Sequence, residues 1–160
     1  MITIETLSDR PDLIDLTTRW AWNEWGLKSG RSLASDLERA QALVDAAGFE
    51  KTFILLEDDI PAAMASLVRA DLDERPDLTP WLAGVYVNPP YRGRGHAVRV
   101  VSQVEQAAIA EAVGALWLYT STAPGLYRKL GWNDHEQIDR PSGRSIIMHK
   151  SLTAAGKSTF

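Results

Sequence analysis

The chain has 160 residues and a mass of 17.7 kDa, with 45% hydrophobic and 24% charged residues, the composition of one soluble globular domain. We therefore expect a single domain over residues 1–160. The chain contains no cysteine, so disulfides, thiolate metal sites and a cysteine acyl-enzyme are excluded. Its formal net charge of −4 argues against a general electrostatic surface for nucleic acid, and we expect no nucleic-acid partner.

The first residues and the hydropathy pattern predict where the protein resides. Residues 1–12 lack a basic start and an unbroken apolar run and contain Glu5 and Asp9, unlike a secretory signal peptide. No apolar stretch approaches the roughly 18 residues of a membrane span. We therefore expect a cytoplasmic protein with no membrane partner.

The first half of the chain is predicted to contain three strands and two helices. Ile2 and Ile4 alternate with polar residues, as in a strand with one buried face. Ser35, with Glu38 three residues later, fits the cap of the second helix. Two acids at 58–59 separate two apolar runs and indicate a hairpin turn. The predicted elements are a strand over 2–5, helices over 12–25 and 35–48, strands over 52–57 and 62–70, and a loop over 71–80.

The second half alternates strands with helices. Residues 81–87 are apolar on both faces, as in a central strand that is covered on each side. The order of elements indicates a mixed α/β fold in which an antiparallel hairpin is followed by a strand–helix–strand crossover. The predicted elements are a strand over 81–87, a helix from 95 with a buried stripe of Ala97, Val101, Val104, Ala108 and Ala112, a strand over 115–119, a short helix over 123–130 and a strand over 145–152.

A glycine-bearing and arginine-bearing turn connects the predicted central strand directly to the next helix. Unpaired amides at a helix start, with the positive end of the helix dipole behind them, can hold a phosphate. Gly93 and Gly95 would let the main chain approach such a ligand closely. Residues 88–99 contain three arginines and no acid, so this stretch is +3 and, since the whole chain is −4, the remainder is −7. We therefore predict a local anion site.

Three other interpretations of this turn are weaker. A nucleoside-triphosphate loop needs Lys and then Ser or Thr after its last glycine, where His96 and Ala97 stand. A dinucleotide fingerprint needs Gly or Ala where Val98 stands, and an early strand–helix–strand unit. An ordinary turn with solvated arginines would not require strand, glycines and helix to coincide.

Two sequence blocks lie within residues 81–132, about a third of the chain. The first reads Val87-x-Pro89-x-x-Arg92-Gly93-x-Gly95-x-Ala97, and the second reads Ala123-Pro-Gly-Leu-Tyr127-Arg-Lys-Leu-Gly131-Trp132. The first resembles the acetyl-coenzyme A loop of the GCN5-related N-acetyltransferases, the GNAT family, and the second resembles a later motif of that family. The resemblance implies a single-domain α/β fold with a mixed sheet of about six to seven strands, flanking helices and splayed central strands.

The resemblance also implies a cofactor site and a general acid. Tyr127 occupies the family's general-acid position, and a phenol with an unperturbed pKa near ~10 can protonate a departing thiolate. From the residues alone, Val85 and Val87 are core side chains, and Tyr127 could be a helix tyrosine with its hydroxyl at the surface. The residues implied to bind acetyl-coenzyme A, through main-chain groups of the strand and amides of the loop, are Val85, Val87, Arg92, Gly93, Arg94, Gly95, His96 and Ala97.

Neither a general base nor a metal site is indicated. Residues 81–87 contain no carboxylate, so the base could be water, Glu24 or Asp77, and simple surface positions explain both acids equally well. The three histidines have no ligand-like spacing, and we expect no metal.

The acceptor would lie against residues 20–31 and 71–80. Tryptophans at 20, 22 and 25 could pack an amine, but the hydrophobic core is the favoured role because Trp22 and Trp25 share a helix face. The acids of residues 71–77 could attract a cationic amine or could simply be solvated.

The predicted function is transfer of acetyl from acetyl-coenzyme A to a primary amine of a small molecule, peptide or protein terminus. Because no cysteine can carry the acetyl group, direct attack in a ternary complex is the simplest route. The alternatives are an inactive acyl-coenzyme A sensor and, less supported by the acidic total, an Arg-Gly nucleic-acid binder. A homodimer is left open.

Overall fold

A seven-stranded mixed sheet with helices on both faces organises the computed structural model, which describes residues 1–152. Its order is β1-β2-β3-β4-β5-β7-β6. The strands are β1 Ile2–Thr6, β2 Lys51–Glu57, β3 Ile60–Val68, β4 Trp81–Val87, β5 Ala115–Thr120, β6 Asn133–Arg140 and β7 Gly143–Ser151. The helices are α1 Ile14–Ala21, α2 Leu33–Ala46, α3 His96–Ala110 and α4 Pro124–Lys129. The α/β class and the predicted strand number are confirmed.

The sheet opens between its two central strands. β1 to β4 are antiparallel neighbours, β5, β7 and β6 form a second antiparallel group, and β4 and β5 are parallel. Within residues 1–152 the only register pair that joins β4 to β5 is Trp81 with Trp117, beside a 3.1 Å hydrogen bond from the Trp117 amide to the Pro80 carbonyl. The predicted splay of the central strands is therefore confirmed.

The core divides into layers on the two faces of the sheet, because successive strand residues point to opposite sides. On β5, Leu116 and Leu118 face the helix α3, whereas Trp117 and Tyr119 face the other side with the loop 71–80. The predicted stripe of α3 is buried at its middle positions, but Ala112 lies beyond the helix end and is exposed. The helix buries His96, Val100, Val101, Val104 and Ala108.

Two elements differ from the sequence predictions. The strand β6 was not predicted, and most of its residues are exposed, so it lacks the apolar alternation that marks a strand. The first helix is α1 preceded by a 3₁₀ turn and followed by a π-helical turn, Trp22–Gly26. Within residues 1–152 no helix combines the length and the apolar character that crossing a membrane requires.

The cap of α2 is Ser32, and the prediction of Ser35 was wrong. Ser32 is extended, with φ −82° and ψ 145°, and its hydroxyl accepts a 3.1 Å hydrogen bond from the Ser35 amide. We expect Ser32→Ala to lower the free energy of unfolding by about 1 kcal/mol, because one helix-start amide loses its acceptor. Urea unfolding measures this. Ser35→Ala is the control and should not destabilise the protein; equal losses for both variants would contradict the assignment.

Candidate active site

A β-bulge lies in β4 beside the opening of the sheet. Met64 pairs with Tyr86 and Ser66 pairs with Ala83, so one residue of β3 opposes two of β4. Gly84 lies in the bulge with a φ of 62°, which a glycine adopts without strain. Bulges bend a strand and increase its twist. The bulge therefore lies where β4 turns away from β5.

The main-chain groups of Val85 and Val87 are directed toward the open edge of β4. The Asn88 amide donates a 2.8 Å hydrogen bond to the Ala62 carbonyl, which lies at the opposite edge. Alternate residues of an extended strand direct these groups to opposite edges, so both valines face the gap. Arg92 Nε donates to the Val87 carbonyl at 3.0 Å. The valine side chains are half-buried and pack against the core on the α3 side, as the residues alone suggested.

The loop after β4 has the geometry of a cradle made of main-chain amides. Gly93 and Gly95 have φ values of 80° and 79°, and a Cβ at Gly93 would meet no protein atom within 4 Å. Within residues 1–152, no amide from Gly93 to Ala97 donates a hydrogen bond to the protein, while the Arg92 amide donates to the Pro89 carbonyl at 3.2 Å. Five of the six predicted amides are therefore available, and that of Arg92 is not.

The loop arginines are engaged by the protein. Arg94 forms an ion pair with Glu57 and lies 5.1 Å from the centre of the Tyr91 ring. The Arg92 guanidinium lies 5.9 Å from the centre of the Tyr86 ring. Glu57, from the end of β2, was missed by sequence reasoning, and it partly neutralises the charge predicted for this turn.

The His96 side chain faces the protein interior. The residue is 2% exposed, and its Nε2 lies 2.9 Å from Glu57 Oε1. Of the groups of His96, only the main-chain amide can therefore contact a ligand at the start of α3. The imidazole therefore does not line the loop surface.

Tyr127 lies on α4 and is 7% exposed. Its ring packs edge-on against Trp132, at 6.2 Å between centres, and belongs to the core cluster on which Val85 and Val87 pack. Burial raises the pKa of the Tyr127 phenol to about 12. The phenol is therefore protonated at neutral and moderately alkaline pH and can donate a proton.

A charged cluster lies on the sheet face opposite α3, beside the gap. Tyr119 packs its ring edge against Trp81 at 6.1 Å, and the Arg140 guanidinium lies 4.9 Å from the Tyr119 ring centre. Leu72 is buried in the same apolar cluster as Trp81, which places its neighbour Asp71 nearby. Asp71 is open to solvent on one side, but the protein surrounding it raises its pKa to about 7, although the charge of Arg140 opposes this rise.

The two acids that the sequence offered as a general base, Asp77 and Glu24, have other surroundings than Asp71. Asp77 accepts hydrogen bonds from Arg75 at 3.0 and 2.9 Å, and these bonds hold its pKa below the usual value. Glu24 is exposed on the π-helical turn. Asp71 was counted only among the acids that could attract a cation, because its surroundings depend on tertiary structure.

The tryptophans of the first helix have separate roles. Trp20 is buried and lies 5.3 Å from the Tyr86 ring. Trp22 is half-buried and donates through Nε1 to the Arg31 carbonyl at 2.8 Å. Trp25 is 39% exposed, so the expectation that Trp22 and Trp25 form core together was wrong.

An open pocket of about 190 Å³ lies between α1, α2 and the sheet. It reaches the bulge at Gly84, and it is lined partly by hydroxyl groups and by the Asp36 carboxylate. Asp36 is buried and forms ion pairs with Arg31 and Arg39. The described residues hold no group of three or more His, Cys, Asp or Glu side chains suited to a metal ion.

The fold is that of an α/β protein whose two central strands part beside a loop of main-chain amides that have no partner within residues 1–152. The chain belongs to the acetyltransferase (GNAT) family, whose profile matches residues 14–132. No curated protein sequence matches the chain.

Solved acetyltransferases share the fold at low sequence identity. An aminoglycoside 6'-acetyltransferase type Ii is 16% identical, with a TM-score of 0.74 over 95% of this chain and 98% of that one. An aminoglycoside 6'-N-acetyltransferase complexed with coenzyme A is 14% identical, with the same TM-score and coverage. The ribosomal-protein-S18-alanine N-acetyltransferase from Escherichia coli is 20% identical, with a TM-score of 0.64 over 100% and 99% of the two chains.

Proposed function

We propose that this GNAT protein transfers an acetyl group from acetyl-coenzyme A to a primary amine by direct attack in a ternary complex. The observation that carries the proposal is the row of amides from Gly93 to Ala97, which have no partner among the described residues and lie at the end of the parted strands. A small molecule, a peptide or a protein terminus could supply the amine. The similarity to enzymes named for an aminoglycoside and for a protein alanine makes both kinds worth testing.

The residues of this chain fit the proposed acetyl donor. Amides from Gly93 to Ala97, with the start of α3 behind them, would bind its pyrophosphate. Main-chain groups of Val85 and Val87 would bind its extended arm at the open edge of β4, in the manner of an added strand. Acetyl-coenzyme A would supply a thioester, which is an activated acetyl group with a thiolate as leaving group.

Tyr127 is the proposed general acid. Its phenol is protonated at the pH of amine acetylation, as any tyrosine is below a pKa near ~10. Burial raises its pKa to about 12, which keeps the proton on the phenol but makes it a weaker acid. Its ring packs against Trp132, which follows the end of α4. A positioned acid of this kind contributes about 10²–10⁴-fold in rate.

Asp71 is the proposed general base. An amine must lose its proton before it attacks, and β4 carries no carboxylate that could accept it. Leu72, the neighbour of Asp71, packs with Tyr119 on the face opposite α3, and the charge of Asp71 acts on the Tyr119 phenol. The acceptor would therefore approach the gap from the side away from the helix of the donor loop. A carboxylate with a pKa of about 7 accepts a proton far better than one held in an ion pair.

The proposal is tested with purified full-length protein, acetyl-coenzyme A and a panel of amines. We expect calorimetry to detect binding of acetyl-coenzyme A, and thiol release with acetylation of at least one amine. The panel includes an aminoglycoside, a polyamine and peptides with a free N-terminal alanine or an internal lysine. Gly95→Glu should weaken binding roughly 10-fold or more, because it strains a left-handed position and adds bulk and negative charge.

The possible results separate the two functions under consideration. Binding without turnover of any amine would favour an acyl-coenzyme A sensor. Absence of binding by the unaltered protein would overturn the proposal.

A further inference from the structure

A closed ring of side-chain interactions lies behind the glycine-bearing loop. Glu57 is the last residue of β2, and its two carboxylate oxygens contact His96 and Arg94. Arg99 Nη1 lies 3.1 Å from His96 Nδ1 and donates to the Arg94 carbonyl at 2.7 Å. The ring therefore runs from Glu57 through His96 and Arg99 to Arg94 and back, and Gly95 lies between its members Arg94 and His96 in the chain.

The contacts settle which nitrogen of His96 carries the proton. A guanidinium has donors only, so the Nδ1 atom facing Arg99 must accept. The Nε2 atom then carries the hydrogen and donates to Glu57 Oε1 at 2.9 Å. The His96 side chain is 1% exposed, so both of its nitrogens are satisfied by protein alone.

The ring leaves the ligand-facing groups free. It uses side chains and the Arg94 carbonyl, while the amides from Gly93 to Ala97 make no hydrogen bond within residues 1–152. Five unpaired amides and two left-handed glycines do not hold a loop in one conformation by themselves. Because preorganised donors bind more tightly than mobile ones, an interaction that orders these amides raises affinity without contacting the ligand.

We propose that Glu57 and His96 are positioning residues that hold the loop in its anion-binding conformation through this ring. The inference rests on the proposed function for the identity of the ligand, coenzyme A. The ordering of the loop concerns the free protein and can be measured without any ligand.

The test compares two neighbouring acids on the same hairpin. Glu57→Gln removes the ion pair with Arg94 and weakens the acceptor for His96. Asp58→Asn removes the same charge one residue away, where Asp58 contacts only the exposed N-terminus among the described residues. Calorimetry with coenzyme A should show about 10-fold weaker binding for Glu57→Gln, and unchanged binding for Asp58→Asn. Nuclear magnetic resonance of the ligand-free protein should show displaced amide signals of Gly93 and Gly95 in Glu57→Gln only.

Two further variants at His96 keep the proposal testable if Glu57→Gln does not fold. His96→Gln places a donor near the former Nε2 position, and His96→Asn places an acceptor near Nδ1 but has no donor for Glu57. We expect His96→Gln to bind coenzyme A more tightly than His96→Asn. Wild-type affinity in Glu57→Gln or His96→Asn, with unmoved Gly93 and Gly95 signals, would overturn the proposal. If the unaltered protein does not bind coenzyme A, the proposed function fails, and the amide signals of the variants still decide the role of the ring.

Discussion

Replacing Tyr127 with phenylalanine is expected to lower kcat by about 10²-fold and to leave the affinity for acetyl-coenzyme A nearly unchanged. The phenylalanine ring retains the packing against Trp132, so only the proton donor is lost. We expect the low end of the range for a general acid because a thiol with a pKa near ~8.5 is a moderately good leaving group without assistance. In the unaltered protein the pKa of about 12 means that the phenol does not ionise in the pH range of the assay.

Thiol release at saturating acceptor measures kcat, and calorimetry measures donor affinity. Urea unfolding of the same variant shows whether the core around Tyr127 is preserved. An unchanged kcat would remove Tyr127 as the acid, and a large loss of affinity would make it a binding residue.

The strand and loop after Trp81 and the start of the next helix were predicted correctly because the signals there are local, whereas the helix ends at Ala110, before the predicted Ala112. An apolar run, two prolines, two glycines and a small-residue stripe each act on their own neighbours, so no distant contact is needed to interpret them. The opening of the sheet was expected from the family resemblance alone. In the structure it coincides with a bulge at Gly84, and a single glycine inside a strand is only a weak sign of one.

Other features depend on contacts between distant residues. β6 is an edge strand with few buried residues, and it forms by pairing with β7 rather than through its own pattern. Glu57 and His96 are 39 residues apart and meet only when α3 packs on the sheet. At the start of α2, both Ser32 and Ser35 match a cap, and the extended backbone at Ser32 decides between them.

The proposed general base, Asp71, could not be predicted from the sequence for the same reason. Asp71 and Asp77 occur in one acidic loop and look alike in the sequence. The structure gives Asp77 an arginine partner that holds its pKa low. Asp71 stays open to solvent on one side, but the protein packed around its other sides raises its pKa to about 7. Proton affinity within this loop is therefore set by tertiary neighbours.

Replacing Asp71 with asparagine is expected to lower kcat/KM at pH 8 by roughly 10²-fold, because the acceptor amine loses its base. A base works only when it is ionised, so activity of the unaltered protein should fall as the pH decreases through about 7. This fall in activity, the acidic limb of the pH profile, should disappear in Asp71→Asn. The rise in activity at higher pH that reports deprotonation of the acceptor amine should remain. Asp77→Asn is the control, and it should keep the acidic limb because its carboxylate is already held by Arg75.

Protein stability gives a second measure of Asp71 that is independent of activity. Its pKa in the folded protein lies above the ordinary aspartate value of 3.8, so folding disfavours the ionised form. The folded protein therefore gains stability relative to the unfolded chain as the pH falls from about 7 toward 3.8. Asp71→Asn should raise the free energy of unfolding at pH 8 more than at pH 5, and urea unfolding at the two pH values measures this difference. A variant that retains the acidic limb in kcat/KM would exclude Asp71 as the base, whatever its effect on stability.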